Sequence, residues 1–74
     1  MSIEKRSLSL AGHRTSLALE PEFWAILDQA AAGRKQSLAG LVAEIDDARA
    51  ADGAGGGLAS ACRVWALGYV QAGR

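Results

Sequence analysis

Apolar residues alternate with polar ones along the first quarter of the chain and then change to helical spacing. The alternating leucines are Leu8, Leu10, Leu17 and Leu19. A period of two residues is typical of a strand with one buried face. Gly12 interrupts the alternation, and a glycine inside a strand pattern usually marks a bend or a bulge. We therefore expect two short extended pieces, the second of which is a ribbon strand over residues 13–19.

Two helices are predicted to follow the strand directly. Pro21 favours the first position of a helix, and the apolar spacing continues to a stop at Gly33. This predicts helix 1 over residues 21–32. Ser37 stands one residue before the next apolar stripe, where an N-cap belongs. Helix 2 is accordingly predicted over residues 38–52.

A glycine-rich segment separates these two helices from a third. Residues 53–57 contain four glycines, a composition that predicts a flexible hinge. Apolar spacing beyond the hinge predicts helix 3 over residues 58–72. The sequence thus indicates one domain over residues 1–74, of the α+β class and mostly helical.

The composition excludes several kinds of protein. The 74 residues include one cysteine and one histidine, too few for an internal disulfide or a cysteine and histidine zinc site. We expect no metal, no cofactor and no enzymatic activity. The longest apolar stretch is too short to cross a membrane. A single thiol and the absence of a signal-like N-terminus favour a cytoplasmic protein.

The small apolar core and the amphipathic strand predict a homodimer. A strand needs a neighbour, and only Leu8 to Leu10 are evident as a partner within the chain. Antiparallel pairing with the same strand of a second copy would satisfy both strands and merge two small cores. The residues expected in this dimer core are Leu17, Leu19, Phe23, Trp24, Leu27, Leu41, Val42 and Ile45.

Four motifs resemble a known family. Residues 12–16 read Gly-His-Arg-Thr-Ser, and residues 19–24 read Leu-Glu-Pro-Glu-Phe-Trp. Residues 37–46 then fit Ser-Leu-x-x-Leu-Val-x-x-Ile-Asp, and residues 58–64 fit Leu-x-Ser-x-x-Arg-Val. In this order they resemble a bacterial subgroup of the ribbon-helix-helix family. The resemblance implies an intertwined homodimer with an additional C-terminal helix, which binds double-stranded DNA with a β-ribbon in the major groove and regulates transcription.

Three outward positions of the ribbon strand are candidates for base contacts. Alternation places Arg14, Ser16 and Ala18 opposite the leucine face. Arginine can pair with guanine, serine can donate or accept, and alanine can contact a thymine methyl group. The family resemblance implies the same three positions, although Ala18 departs from the basic or polar residue common there. The alternative is that Arg14 is a solvated edge residue on an ordinary sheet.

The start of helix 2 and the N-terminal segment are candidates for phosphate contacts. Two cations, Arg34 and Lys35, precede Ser37, and a helix N-terminus favours anions. The resemblance assigns a backbone clamp on DNA to the amides of Ser37 and Leu38. A plain capping serine after a solvated turn is the alternative. Further backbone contacts from an N-terminal arm are expected of Lys5 and Arg6.

The charge balance leaves two function classes open. A net charge of zero argues against strong nucleic-acid binding, which depends on neutralising phosphates. The distribution is uneven, however, because residues 1–19 carry three basic groups and one acidic group. A DNA-binding regulator is therefore the first hypothesis. The alternative is a protein-interaction or scaffold dimer with the same fold and an unknown protein partner.

Overall fold

The chain folds as a two-stranded antiparallel ribbon followed by three helices. A computed structural model describes residues 2–53 and 56–73. The elements in chain order are β1 (Glu4–Leu10), β2 (His13–Leu19), α1 (Pro21–Gly33), α2 (Leu38–Asp52) and α3 (Leu58–Gln71). The helices pack against one face of the ribbon and against each other. Within the described residues no helix has the length and apolarity needed to span a bilayer.

The two strands form a tight hairpin. Their register runs from Glu4 opposite Leu19 to Leu10 opposite His13. The connecting residues are Ala11 and Gly12, with φ angles of 51° and 85°. Positive φ at both positions is typical of two-residue hairpin turns, whose twist matches that of the strands. The glycine that interrupts the alternation is therefore part of a chain reversal.

The expectation that β2 lacks a full-length partner in its own chain is wrong. β1 extends four residues before Leu8, so all seven residues of β2 are paired within one molecule. The inward position that ends the leucine pattern is held by Arg6, whose guanidinium lies 4.5 Å from the centre of the Trp24 ring. Because arginine can cover an aromatic face, the strand continues without an aliphatic residue there.

Local signals explain where α1 and α2 begin. Pro21 is the first residue of α1, and the Ser37 hydroxyl accepts a hydrogen bond of 2.9 Å from the Gly40 amide at the start of α2. The end of α1 differs in detail from expectation. The helix includes Gly33, and the left-handed position that follows is taken by Lys35, with a φ of 54°.

The glycine-rich segment joins α2 to α3. Gly53 ends α2 in the left-handed conformation with a φ of 66°, and Gly56 has a φ of 86°. Both angles are costly for residues that carry a Cβ atom, so glycine is the natural choice. The predicted hinge spans residues 53–57, of which Ala54 and Gly55 lie outside the described residues.

The core lies within a single chain. Its buried side chains come from every element, and the largest are Trp24, Leu19, Leu27, Leu41, Val42 and Cys62. The residues expected in a dimer core belong to this core, with Phe23 partly buried beside it. These side chains are therefore already buried within one chain.

An ion pair fastens α3 to the start of α1. The Arg63 guanidinium donates to both carboxylate oxygens of Glu20, at 2.8 and 3.3 Å, and lies 5.9 Å from the Phe23 ring centre. The hydrogen bond from Arg63, together with one from the backbone, holds the pKa of Glu20 below its usual value. The stabilisation is therefore present at neutral pH and is lost as the pH falls through the folded-state pKa.

Glu20→Gln is expected to lower the urea midpoint of unfolding at neutral pH and to have little effect in acid. The glutamine side chain cannot ionise, so the difference in urea midpoint between the variant and the wild-type protein should disappear as Glu20 itself becomes protonated. Urea titrations at about pH 7 and about pH 3 measure both gaps. Glu22→Gln, in the same turn but exposed, is the control. A gap independent of pH would show that the ion pair does not stabilise the fold.

Candidate nucleic-acid interface

The face of the hairpin that points away from the helices is polar and basic. We call it the outer face; it consists of Lys5, Ser7 and Ser9 from β1 and Arg14, Ser16 and Ala18 from β2. In the register of the hairpin these residues form three directly opposed pairs. Five of the six are exposed, and Ala18 is half-buried. The outer face therefore carries two cations and three hydroxyl groups, and none of its six residues is acidic.

Arg14 is oriented by the neighbouring strand. Its guanidinium donates a 3.1 Å hydrogen bond to the hydroxyl of Ser7, which lies diagonally across the hairpin. Both groups are exposed. A single exposed hydrogen bond of this kind contributes about 1 kcal/mol, so Arg14 can leave Ser7 for a stronger acceptor at little cost.

Ser7 and Ser9 were not among the sequence candidates. The sequence does contain a signal for them, because Lys5, Ser7 and Ser9 have the same two-residue spacing as Arg14, Ser16 and Ala18. That signal acquires meaning only when the two strands are paired. The pairing places Ser7 directly opposite Ser16 on one surface.

Each strand of the hairpin also has an edge that pairs with no other strand of the described residues. In a hairpin with a two-residue turn, the residues that flank the turn, here Leu10 and His13, exchange both backbone hydrogen bonds. Alternation along β2 then directs the backbone N–H and C=O groups of Arg14, Ser16 and Ala18 away from β1. Arg14, Ser16 and Ala18 therefore provide both the free backbone edge of β2 and its side chains on the outer face.

Arg6 does not lie on an N-terminal arm that could contact the DNA backbone. It occupies the inward side of β1, stacks on Trp24 and forms ion pairs with Glu4 at 2.8 Å and Asp28 at 3.1 Å. These carboxylates raise the pKa of its guanidinium. The Trp24 indole also donates a 2.8 Å hydrogen bond to the Glu4 carbonyl. Arg6 therefore connects β1 to α1. Its role is structural, and it is not a candidate phosphate contact.

The start of α2 presents backbone amides to solvent. The first backbone hydrogen bond of the helix runs from the Leu41 amide to the Ser37 carbonyl, and the Ser37 hydroxyl satisfies the Gly40 amide. The amides of Leu38 and Ala39 precede this ladder, as the first amides of any helix do. The Leu38 side chain packs against the core, which fixes its backbone in place.

The two cations before α2 differ in their surroundings. The Arg34 guanidinium pairs with Glu44 at 3.1 Å, and the Gln36 amide donates to the same carboxylate at 2.7 Å. Lys35 is exposed and holds a left-handed backbone conformation, which costs a residue with a Cβ atom about 1–2 kcal/mol. Both side chains are exposed, but the charge of Arg34 is paired with Glu44, whereas Lys35 forms no ion pair with another described residue.

Other residues weighed for chemistry have structural surroundings. Cys62 is fully buried, and desolvation together with the nearby Asp46 raises the pKa of its thiol to about 11. It is therefore a small apolar core residue at neutral pH. Asp46 pairs with Arg49 at 2.6 Å. Within the described residues no group of three or more histidine, cysteine or carboxylate side chains is arranged to hold a metal ion.

Comparison with known proteins identifies the family. Neither the curated proteins nor the solved structures contain a match to the chain. The ribbon-helix-helix domain family matches residues 3–70. Domains of this family are typically DNA-binding regulators and usually act as dimers. Because the match covers all five elements of the fold almost completely, the chain belongs to the ribbon-helix-helix domain family.

Proposed function

We propose that the protein is a homodimeric regulator of transcription that binds the major groove of DNA with its hairpin. The composition of the outer face is the observation that supports this proposal most directly. Its cations and hydroxyl groups are the groups that contact base edges and phosphates, and no carboxylate among its six residues opposes them. A β-ribbon is also one of the two elements that the major groove admits.

The proposed dimer forms along the free edge of β2. A second copy can add its own β2 antiparallel to the first, so that the same backbone groups pair across a twofold axis. Such pairing covers an edge that would otherwise remain open to aggregation. Each chain brings its own set of buried apolar residues to this dimer, directly behind the paired β2 strands.

Base recognition is assigned to the central strands of this dimer. Arg14 and Ser16 from both copies supply donors and acceptors next to the twofold axis, and Ala18 supplies a methyl group. Arginine bidentate to guanine is the commonest specific contact in the major groove. We therefore propose Arg14 as the main determinant of sequence preference.

Phosphate contacts are assigned to the start of α2. The amides of Ser37 and Leu38 and the exposed charge of Lys35 suit an anion at a helix N-terminus. The excess of acidic residues lies elsewhere, mainly in residues 38–57 with four acids and one base. A chain of zero net charge can bind DNA in this way because Lys5, Arg14 and Lys35 are exposed on the proposed binding surfaces, while several of the other cations are paired with carboxylates.

Arg14→Ala is expected to weaken binding to a preferred duplex by about 1–3 kcal/mol per half-site and to relax sequence preference. Lys35→Ala should instead weaken binding to all duplexes alike and reduce the dependence of affinity on salt, because it removes a phosphate contact. Fluorescence anisotropy with duplexes selected from a random pool, at two salt concentrations, measures both effects. Absence of duplex binding by the wild-type protein at low salt would overturn the proposal.

A second function is favoured by one observation on α3. Val64, Leu67 and Val70 are exposed, at 67%, 52% and 43% of their surface. Exposed apolar residues grouped on one helix are typical of protein contacts. The alternative is therefore a dimer that uses α3 to bind another protein. It becomes the better explanation if the wild-type protein fails to bind duplex DNA.

A further inference from the structure

The extra strand of the hairpin changes the width of the proposed DNA-binding sheet. With β2 paired to its copy, the strand order across the dimer is β1, β2, β2, β1, because β1 occupies the other edge of each β2. Adjacent strands are about 4.8 Å apart, which places each β2 about 2.4 Å and each β1 about 7 Å from the twofold axis. The inference that follows rests on the proposed function.

The major groove is narrower than this sheet. Its width is about 12 Å, so its walls, which are the two phosphate backbones, lie about 6 Å from the centre line. When the central strands run along the groove, both β1 strands lie over the walls. A four-stranded sheet can then seat its central pair against the bases only if β1 is compatible with phosphates.

The side chains of β1 on the outer face meet this requirement. Lys5, Ser7 and Ser9 are exposed and provide one cation and two hydroxyl groups. The carboxylate of Glu4 belongs to the opposite face, where it pairs with Arg6. Lysine, serine and backbone amides together supply many of the phosphate contacts in protein–DNA complexes.

The backbone of β1 adds a second set of donors. By the same alternation that frees one edge of β2, the N–H groups of Lys5, Ser7 and Ser9 point away from β2, together with the C=O groups of the same residues. These groups lie along the outer edge of the dimer's sheet, where the N–H donors are available to a phosphate oxygen beside β1.

We infer that β1 is a phosphate-contacting strand. Within each hairpin, β2 contacts the bases and β1 contacts the phosphate backbone of the DNA. Ser7 has an additional part, because its hydroxyl holds Arg14 in the free protein. The side chains of Lys5 and Ser9 form no hydrogen bond or ion pair with another described side chain. The inference is therefore best tested at these two residues.

Lys5→Ala is expected to reduce the slope of log affinity against log salt by about 2 per dimer, one for each copy of the lysine. The reduction should be the same for preferred and unrelated duplexes. Lys5→Arg, which keeps the charge, should retain the wild-type slope. Ser9→Asp should weaken binding to every duplex at least tenfold, whereas Ser9→Asn, of the same size and uncharged, should bind within a few-fold of the wild type.

The outcomes separate the inference from the proposed function. If the wild-type protein binds duplexes but Lys5→Ala keeps the full salt slope, or loses affinity for the preferred sequence alone, β1 does not contact phosphates and the inference is overturned. The DNA-binding proposal would then stand. If the wild-type protein binds no duplex, both fail. Circular dichroism of each variant establishes that the fold is retained.

Discussion

Leu19→Lys is expected to leave the protein unfolded at room temperature. Leu19 is fully buried at the end of β2, among the largest side chains of the core. An ionised lysine there would be buried among apolar side chains, and the carboxylate directly across the hairpin, that of Glu4, is exposed and already paired with Arg6. Burying such a charge costs several kcal/mol. A domain of this size is stable by only about 3–5 kcal/mol. The free-energy cost of the substitution is therefore at least as large as the free energy of unfolding of the whole domain.

Far-ultraviolet circular dichroism with urea titration measures the loss of folded structure in Leu19→Lys. Ser9→Lys is the matched control, since it places the same side chain at an exposed position of the same hairpin. This control should retain the helical signal and a cooperative transition. A folded Leu19→Lys protein with a near-native urea midpoint would show that the ribbon does not close the core.

Ser16→Pro is expected to convert the proposed dimer into a folded monomer. The Ser16 amide points away from β1, so its loss leaves the hairpin ladder intact but removes a donor from the free edge of β2. The proline ring also blocks the approach of another strand, and for this reason proline is confined to sheet edges. Light scattering should change from twice the 7.7 kDa chain mass to the chain mass itself.

The residue directly opposite provides the control. Ser7 pairs with Ser16 across the hairpin, and its amide points outward from the other edge. Ser7→Pro places the same ring in the same hairpin, and the dimer should persist. If Ser16→Pro remains dimeric, or if both variants dissociate alike, the second copy does not join along β2.

The sequence by itself determined the order of the ribbon and the three helices, because the signals for these elements are local. Pro21 starts α1 through its own fixed φ angle, and Ser37 starts α2 through a hydrogen bond to Gly40, three residues away. Alternation along residues 13–19 likewise separated an inward from an outward side of one strand. Each of these inferences needs only neighbours within a few positions.

Only the tertiary structure decided which side chains share a surface. Arg6 and Lys5 are adjacent cations in the sequence, yet Arg6 is held by Trp24 and Asp28 while Lys5 is exposed on the outer face. Arg34 is likewise distinguished from Lys35 by Glu44, ten positions away. Such partners are distant along the chain, and no local pattern specifies them.

The same reason explains why β1 was recognised only in part. Its inward side begins with Arg6, which is polar in the sequence and becomes an aromatic-stacking residue only when α1 brings Trp24 against it. In the sequence alone the apolar alternation of this strand starts at Leu8, and β2 is left without a full-length partner in its own chain. The pairing of the strands, and with it the composition of the outer face, was thus decided by the packing of a helix that follows them.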